Sequence, residues 1–365
     1  MKSIAFLAGA RPNYMKVFPV WKDMAARGLP IKQVLIHTGQ HYDDAMSDVF
    51  FRDFEMEKPT HFLGVGSGPH ALQTAKVMIA LEELFTKERP DTLVVVGDVN
   101  STMAGALVAT KMGIPVAHLE AGLRSFDRSM PEEINRIVTD SISDRLLLSC
   151  RDAEPHLKRE GIAPEKIRFV GNVMIDSLLM LLPKAQASTR PAELGVGKGP
   201  FILTTLHRPS NVDQPARLQL LIENLAEMAK QMPVVFPVHP RTRKMLEHPS
   251  IQPLTRKLIL TEPLGYNEFL SLETRAALVI TDSGGVQEET SYLGVPCLTL
   301  RANTERPVTV TEGTNRLLDP EKESLAAAAQ AALAKGRRQG PCPIEGWDGR
   351  AASRVTQALR EMVGV

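Results

Sequence analysis

Residues 93–122 read LVVVGDVNSTMAGALVATKMGIPVAHLEAG, and the rest of the fold can be inferred outward from them. Residues 93–97 form a short apolar run typical of a strand, 104–111 continue as a helix, and 115–119 form a second apolar run. Both runs are apolar on either side, as parallel strands covered by helices are. A strand, a helix and a second strand in this order predict a doubly wound α/β sheet.

The same alternation continues toward both ends of the chain. Upstream, strands are predicted at 3–8 and 33–37 with a helix at 12–26 between them. Downstream, the pattern stops at 182–200, where Pro, Gly, Ser and Lys collect without periodicity. After that interruption, further strands are predicted at 201–206, 234–237, 257–260, 277–281 and 296–300.

We therefore predict two Rossmann-like α/β domains, at 1–182 and 183–345, with a helical segment at 346–365. The length of 365 residues suits two domains of ordinary size. From its position alone, the C-terminal segment could belong to either domain.

Composition excludes several classes of protein. The 43 Lys and Arg and 42 Asp and Glu nearly cancel, so no strongly basic surface for nucleic acid is expected. The 3 cysteines are widely spaced and odd in number, which predicts a reducing, cytoplasmic environment. No apolar run is long enough to span a membrane, and the N-terminus lacks the pattern of a signal peptide. We expect neither secretion nor membrane insertion.

Three acidic residues stand where the first predicted sheet should bind ligands, beyond the carboxyl ends of its strands. Asp98 and Glu120 follow strands, and Glu132 opens a helix. Neighbouring carboxylates at one sheet edge suit acid and base chemistry. Structural roles are the alternatives: Asp98 as a helix cap, Glu120 paired with Arg124, and Ser129 with Glu132 as a capping box.

The first strand ends in GARP, which is not a dinucleotide-binding fingerprint because Arg11 stands where a glycine is needed. Arg11 and Lys16 would direct positive charge at an anion. His37 and His41 are four residues apart, but they lack the H-E-x-x-H pattern, so no metal site is expected. The glycine-rich residues 64–68 follow only a weak strand, which argues against a nicotinamide site.

The second predicted domain carries the features of a diphosphate site. His207 and Arg208 end its first strand, a position that suits a proton donor or a phosphate contact. Residues 281–285 read TDSGG and lead into a helix, so backbone amides and the helix N-terminus can bind a phosphate. Glu289 is placed for ribose hydroxyls, and Arg306 offers a second cation. A structural histidine and a tight turn with a loop arginine are the alternatives.

Seven motifs occur in order from Gly9 to Arg306: GARPNYMK, GDVNST, HLEAGLRS, MPEEINR, TLHRPSN, TDSGGVQEE and TERP. Together they resemble the non-hydrolysing UDP-N-acetylglucosamine 2-epimerase family. The resemblance implies the GT-B fold, in which two Rossmann-like domains face each other across a cleft and the second holds most of the nucleotide. It also implies that the C-terminal helix returns to the first domain.

The implied activity is the interconversion of UDP-N-acetylglucosamine and UDP-N-acetylmannosamine, without NAD or a metal, in a homodimer. The catalytic residues implied by the resemblance are Asp98, Glu120, Glu132 and His207. We expect the carboxylates to handle the C2 proton and His207 to stabilise the departing diphosphate.

The resemblance also implies a set of binding residues. Contacts with the nucleotide sugar are expected from Arg11, Lys16, Arg208, His239, Phe269, Ser283, Gly284, Gly285, Glu289 and Arg306. Phe269 would lie near the uracil. Gln40 and His41 match a segment that contacts a second, activating UDP-N-acetylglucosamine in some members.

Two departures from the family pattern keep other substrates open. Pro209-Ser210-Asn211 follows the His-Arg pair, and the stretch before Glu132 reads RSFDRSMP. Relatives that act on modified UDP-sugars, such as UDP-2,3-diacetamido-glucuronic acid, share much of this pattern. A GT-B glycosyltransferase, which would transfer the sugar to an acceptor, is a further alternative.

Overall fold

The computed structural model describes residues 1–39 and 58–365. The chain divides into two units, and each has its own parallel sheet. Unit 1 contains Met1–Leu179 together with Glu345–Val365, and unit 2 contains Met180–Ile344. None of the described helices is both long and apolar enough to cross a membrane.

Unit 1 has a seven-stranded parallel sheet in the order β3-β2-β1-β4-β5-β6-β7. Its strands are β1 (Lys2–Ala8), β2 (Ile31–His37), β3 (His61–Phe62), β4 (Thr92–Val96), β5 (Val116–Leu119), β6 (Arg145–Leu148) and β7 (Ile167–Phe169). The described helices that accompany them are α1 (Arg11–Ala26), α2 (His70–Lys87), α3 (Asn100–Lys111), α4 (Pro131–Ile142) and α5 (Glu154–Arg159). Two 3-10 turns lie at Arg151–Ala153 and Pro164–Lys166.

The central β4-α3-β5 segment forms as the sequence predicts. All five residues of β4 are buried, and β4 pairs in parallel with both β1 and β5. Helix α3 packs closely on the sheet because it has a glycine at its inner face. A Cβ atom at Gly105 would lie 2.3 Å from Leu7 Cδ2, so any larger residue would push the helix outward.

Unit 2 has a six-stranded parallel sheet in the order β10-β9-β8-β11-β12-β13. Its strands are β8 (Ile202–Thr205), β9 (Val234–Pro237), β10 (Ile259–Thr261), β11 (Leu278–Thr281), β12 (Cys297–Thr299) and β13 (Asn315–Leu317). The five predicted strands are present, and the short β13 was not predicted.

Helix α6 (Val173–Gln186) carries the chain from unit 1 into unit 2. The helices that follow are α7 (Arg190–Glu193), α8 (Pro209–Val212), α9 (Pro215–Met228), α10 (Pro240–Leu246), α11 (Gln252–Thr255), α12 (Tyr266–Glu273), α13 (Gly284–Leu293), α14 (Val308–Thr311) and α15 (Leu325–Lys335).

The C-terminal helix α16 (Ala351–Val363) packs against α1 in unit 1. Its N-terminus is held by the buried Asp176, whose carboxyl oxygens accept hydrogen bonds from the amides of Ala351 (3.2 Å) and Ala352 (2.8 Å). Trp347, just before the helix, donates its indole N–H to the Ser149 carbonyl at 3.2 Å. These contacts fix the end of the chain on the first unit.

Both sheets reverse their winding direction once. The strand order turns between β1 and β4 in unit 1, and between β8 and β11 in unit 2. Open α/β sheets bind ligands at such switch points, outside the carboxyl ends of the strands. The fold therefore singles out the residues that follow these four strands.

Candidate functional site

The switch point of unit 1 contains a buried ion pair. Lys16, on α1, donates a hydrogen bond from Nζ to Glu120 Oε2, and both side chains are more than nine-tenths buried. Gly97 lies against this pair, because a Cβ atom there would be 3.2 Å from Lys16 Nζ and 3.4 Å from Glu120 Oε2. Gly97 also has a φ of 67°, which a larger residue rarely adopts.

Glu120 itself has a left-handed backbone, with a φ of 72°. Its amide donates to the Leu147 carbonyl at 3.0 Å, which helps to hold this uncommon conformation. The alternative that Glu120 pairs with Arg124 is wrong. Arg124 instead contacts Asp140 at 2.7 Å and Glu160 at 2.6 Å.

Asp98 follows β4 and is bound by the guanidinium of Arg136, from α4. The alternative that Asp98 caps α3 is wrong: the N-cap position is Val99, and no side chain in the described part of the chain caps that helix. Arg136 is buried and also donates to Glu133 at 2.7 Å. Burial alone would raise the pKa of Glu133, but the Ser125 amide and Arg136 outweigh it and lower that pKa.

Glu132 is exposed in the first turn of α4. The predicted capping box with Ser129 does not form, because the helix begins at Pro131 after the N-cap Met130. The Ser129 hydroxyl donates instead to Asp127 at 2.6 Å. A capping role therefore does not account for Glu132.

Asp98 and Glu132 line one cavity of about 210 Å³. Its other lining residues are mostly polar: Ser67, Gly68, His70, Gln73, Val99, Asn100, Pro131 and Asn135. The cavity thus also includes the end of the glycine-rich stretch that sequence reasoning set aside. Two carboxyl groups in one polar cavity can serve as an acid and a base.

His70 is a functional candidate that sequence reasoning missed. A chain of amides orients it: Asn135 Nδ2 donates to Asn100 Oδ1 (3.2 Å), and Asn100 Nδ2 donates to Gln73 Oε1 (2.8 Å) and reaches His70 Nδ1 (3.1 Å). Asn100 Oδ1 also lies 3.4 Å from His70 Nδ1, so the side-chain amide of Asn100 holds the imidazole through that nitrogen. The available signal in the sequence was a histidine directly after a glycine-rich turn.

The switch point of unit 2 is organised by Asp282, the residue after β11. Its side chain is fully buried and accepts hydrogen bonds from the amides of His207 (3.1 Å) and Arg208 (3.0 Å) and from Asn211 Nδ2 (3.1 Å). His207 Nδ1 lies 3.0 Å from Asp282 Oδ1. Burial opposes ionisation, yet His207 and the other donors lower the pKa of Asp282.

Asp282 therefore holds His207 through Nδ1 and leaves Nε2 for another partner. Sequence reasoning assigned His207 but missed Asp282, which it took as part of a glycine-rich turn. Arg208 is fixed nearby, because its Nε donates to the Asp282 carbonyl at 2.9 Å. The ring of His239 lies 5.6 Å from that of His207. Burial and the neighbouring His207 lower the pKa of His239.

Ser283 is the N-cap of α13, and no side chain caps this helix among the described residues. A Cβ atom at Gly284 would lie 2.9 Å from Arg306 NH1, so glycine is needed for the guanidinium to lie against the helix start. Around Gly285 the space is open. Arg306 is also held by Glu305 (2.6 Å) and Glu288 (3.0 Å). A helix N-terminus beside an arginine is a site for a phosphate.

Glu289 is buried on α13 and accepts a hydrogen bond from the Tyr266 hydroxyl at 2.7 Å. Burial raises the pKa of Glu289 to about 7, against the lowering effect of Tyr266. Phe269 lies on α12 and is partly buried against the core of unit 2.

The remaining predicted residues are located as follows. Arg11 begins α1, directly after the turn that follows β1. Gln40 and His41 lie outside the described residues. His37 is buried between the rings of Tyr14 and Phe62, at centroid distances of 5.4 Å and 5.2 Å, and burial lowers its pKa to about 4.

The chain is similar to known proteins over almost its whole length. The family described as UDP-N-acetylglucosamine 2-epimerase matches residues 24–360. A UDP-N-acetylglucosamine 2-epimerase of Methanocaldococcus jannaschii is 43% identical over 342 residues, which cover 92% of this chain and 93% of that one. A UDP-2,3-diacetamido-2,3-dideoxy-D-glucuronate 2-epimerase of Pseudomonas aeruginosa is 40% identical over 362 residues, covering 98% and 99%.

A solved structure has the same fold. The crystal structure of the Methanocaldococcus jannaschii UDP-GlcNAc 2-epimerase in complex with UDP-GlcNAc and UDP matches with a TM-score of 0.90 at 42% identity. The match covers 99% of this chain and 100% of that one. The predicted α/β fold of GT-B type is thereby confirmed.

Proposed function

The chain belongs to the UDP-N-acetylglucosamine 2-epimerase family, and from this premise we propose that it interconverts UDP-N-acetylglucosamine and UDP-N-acetylmannosamine. The observation that carries the proposal is the cavity that contains both Asp98 and Glu132, at the switch point of unit 1. Two acids at that place match the need of a C2 epimerase for proton transfer on both faces of the sugar.

The chemistry requires more than a base. The C2 proton is not adjacent to a carbonyl, so its direct removal and return is difficult. In the proposed route a carboxylate takes the C2 proton while the C1–O bond to UDP breaks, which gives a 2-acetamidoglucal. UDP then adds back at C1 as a proton is delivered to the opposite face of C2. Atoms and charges balance without a redox cofactor.

We assign the proton transfers to unit 1. Asp98 is held by Arg136, and Glu132 is exposed in the same cavity, so the two differ in their surroundings as an acid and a base should. Glu120 acts beside them, with Lys16 as its bound cation. The proposed sugar contacts from this unit are Arg11 and Lys16.

We assign nucleotide binding to unit 2. The amides at the start of α13 and the guanidinium of Arg306 would hold the diphosphate, and Glu289 would accept hydrogen bonds from the ribose. His207, oriented by Asp282, would donate from Nε2 to the departing UDP oxygen. Further contacts are proposed for Arg208, His239, Phe269, Ser283, Gly284 and Gly285.

Proton NMR of UDP-N-acetylglucosamine with the purified protein in D2O tests this function. We expect deuterium to replace the C2 proton while UDP-N-acetylmannosamine appears. UDP and free N-acetylmannosamine accumulating together would mean hydrolysis instead. UDP-sugar binding without exchange at C2 would contradict the proposed substrate.

A second candidate is the corresponding reaction of UDP-2,3-diacetamido-glucuronic acid. It is favoured by the 40% identity to the Pseudomonas aeruginosa enzyme, which covers nearly all of both chains. The same NMR experiment with that substrate distinguishes the two, since the faster C2 exchange identifies the preferred sugar. We further propose a cytoplasmic homodimer, for which light scattering should give twice the mass of 40.1 kDa.

A further inference from the structure

Unit 2 contains a buried carboxyl group that the proposed function does not use. Glu273 is the last residue of α12, and its side chain has no exposed surface. Among the described residues, no donor reaches either of its carboxyl oxygens, and the neighbouring group that raises its pKa is the Glu289 carboxyl. A carboxylate in such surroundings is very unfavourable, so the group must keep a proton.

The Glu273 carboxyl lies close to Glu289, the residue that we propose binds the ribose. Tyr266 and Glu273 are seven residues apart on α12, so they lie two turns apart on the same helix face. The Tyr266 hydroxyl donates to Glu289 Oε1 at 2.7 Å, and the Glu273 carboxyl adjoins Glu289 as well. Glu289 thus lies between a phenol and a carboxyl group.

Two adjoining buried carboxyls do not ionise together. Burial and the nearby Glu289 raise the pKa of Glu273 well above its usual range, and burial raises the pKa of Glu289 to about 7. The other ionisable neighbours are Glu288, which pairs with Arg306 at 3.0 Å, and Cys297 on β12. Near neutral pH the pair therefore carries one proton and one negative charge in part of the molecules, and two protons in the rest.

We propose that Glu273 is a positioning residue for the ribose: it donates a shared proton to Glu289 and so orients the carboxylate that accepts the ribose hydroxyls. This rests on the proposed function, in which Glu289 binds the ribose. An ionised carboxylate accepts from both hydroxyls of a diol, whereas a protonated one loses acceptor capacity. Binding therefore selects the singly ionised pair and releases a proton from the fraction that carries two.

Isothermal titration calorimetry of the full chain with UDP-N-acetylglucosamine measures this proton release. The titration is repeated at pH 7 in buffers that differ in ionisation enthalpy. The diphosphate of this ligand has no ionisation near neutral pH, so it adds no protons of its own. We expect the release of a fraction of a proton per site, since Glu289, with a pKa of about 7, is only partly ionised at that pH. Glu289→Gln should abolish this release.

Two variants of Glu273 separate positioning from packing. Glu273→Gln keeps a permanent donor and should bind within about twofold of the wild type at pH 7. Glu273→Met keeps a similar shape but has no donor, and it should bind about tenfold more weakly. In the Met variant the pH below which affinity falls should also move upward. Denaturation midpoints check that both variants fold.

The outcomes distinguish this inference from the function on which it rests. Wild-type affinity and unchanged proton release in Glu273→Met would show that Glu273 only fills space in the core. Equal weakening in the Gln and Met variants would exclude the shared proton. If the wild type binds no UDP-N-acetylglucosamine at all, the proposed function itself is overturned, and this inference with it.

Discussion

The two switch points of the molecule have the same topology, but Glu120 and Asp98 in unit 1 are held differently from Glu289 in unit 2. In unit 1 the acids are paired with cations, Glu120 with Lys16 and Asp98 with Arg136. In unit 2, Glu289 has a phenol and a second carboxyl as neighbours, and its pKa rises to about 7. The first site pairs two of its acids with cations, and the second leaves Glu289 partly protonated near neutral pH.

The difference follows from what each site must do. A carboxylate that removes a proton from carbon works from its ionised form, which a bound cation stabilises. A carboxyl that recognises ribose hydroxyls needs no cation, since the hydroxyls themselves supply the donors. The same α/β edge therefore becomes a reactive site or a recognition site according to the few residues that follow its strands.

The largest effect is expected from removing the acids of the unit 1 cavity. Asp98→Asn and Glu132→Gln should each lower kcat about 10³-fold, which is within the usual contribution of general acid–base catalysis. UDP affinity should stay within about twofold, because the nucleotide is assigned to unit 2. Turnover is followed by NMR and affinity by calorimetry.

The matched control for these two variants is Glu83→Gln, an exposed acid on α2 in the same unit. It should leave turnover unchanged. If either cavity variant retains more than a tenth of the wild-type turnover, that residue is not an essential acid or base.

The next largest effect is expected on stability, and it tests whether the buried Glu120 needs the positive charge of Lys16. Lys16→Met would remove the cation bound to the buried Glu120, which should lower the free energy of unfolding by about 3 kcal/mol or more. Adding Glu120→Gln should restore most of that stability without restoring turnover. Urea denaturation measures the free energy of unfolding of the single and the double variant. No recovery in the double variant would show that Lys16 stabilises the unit through packing instead.

Much of this arrangement could be predicted from the sequence, because strands and the polar residues at their ends are local patterns. The βαβ segment around Asp98, the break before the second unit and the glycine turn before α13 all belong to this class. Partner choice is not local. Arg124 is the near neighbour of Glu120 in sequence, whereas the actual partner, Lys16, is 104 residues away.

Asp282 and His70 likewise have partners that local sequence patterns do not reveal. Asp282 lies beside His207 only because β11 is the neighbour of β8 in the sheet, and strand order cannot be inferred from a single motif. His70 is held in the cavity by a network of three amide side chains contributed by three helices. A glycine-rich stretch gives no indication of such a network.

Asp176 is a buried acid of unit 1 that has no close ion pair among the described residues. Like Glu289 in unit 2, it should therefore keep its proton to a higher pH than an exposed carboxyl does. Burial raises the pKa of Asp176 to about 6, although the amides of Ala351 and Ala352 oppose the change. Because the folded pKa lies above the unfolded value, ionisation destabilises the fold increasingly as pH rises from about 4 through 6. Relative to Asp176→Asn, the wild type should lose about 2 kcal/mol of stability between pH 4.5 and 7.

The smallest effect concerns the anion site of unit 2, where we assign the cation Arg306 to the diphosphate. Arg306→Ala should weaken UDP binding about tenfold, the effect of losing one charge-assisted hydrogen bond. Arg316→Ala, an exposed arginine of the same unit, is the control and should leave affinity unchanged. Calorimetry with UDP measures both. Because Arg306 also pairs with Glu288 and Glu305, the denaturation midpoint of the variant has to be measured as well. Unchanged UDP affinity in a folded Arg306→Ala protein would place the diphosphate elsewhere. The switch point of unit 2 would then no longer be the site that recognises the nucleotide.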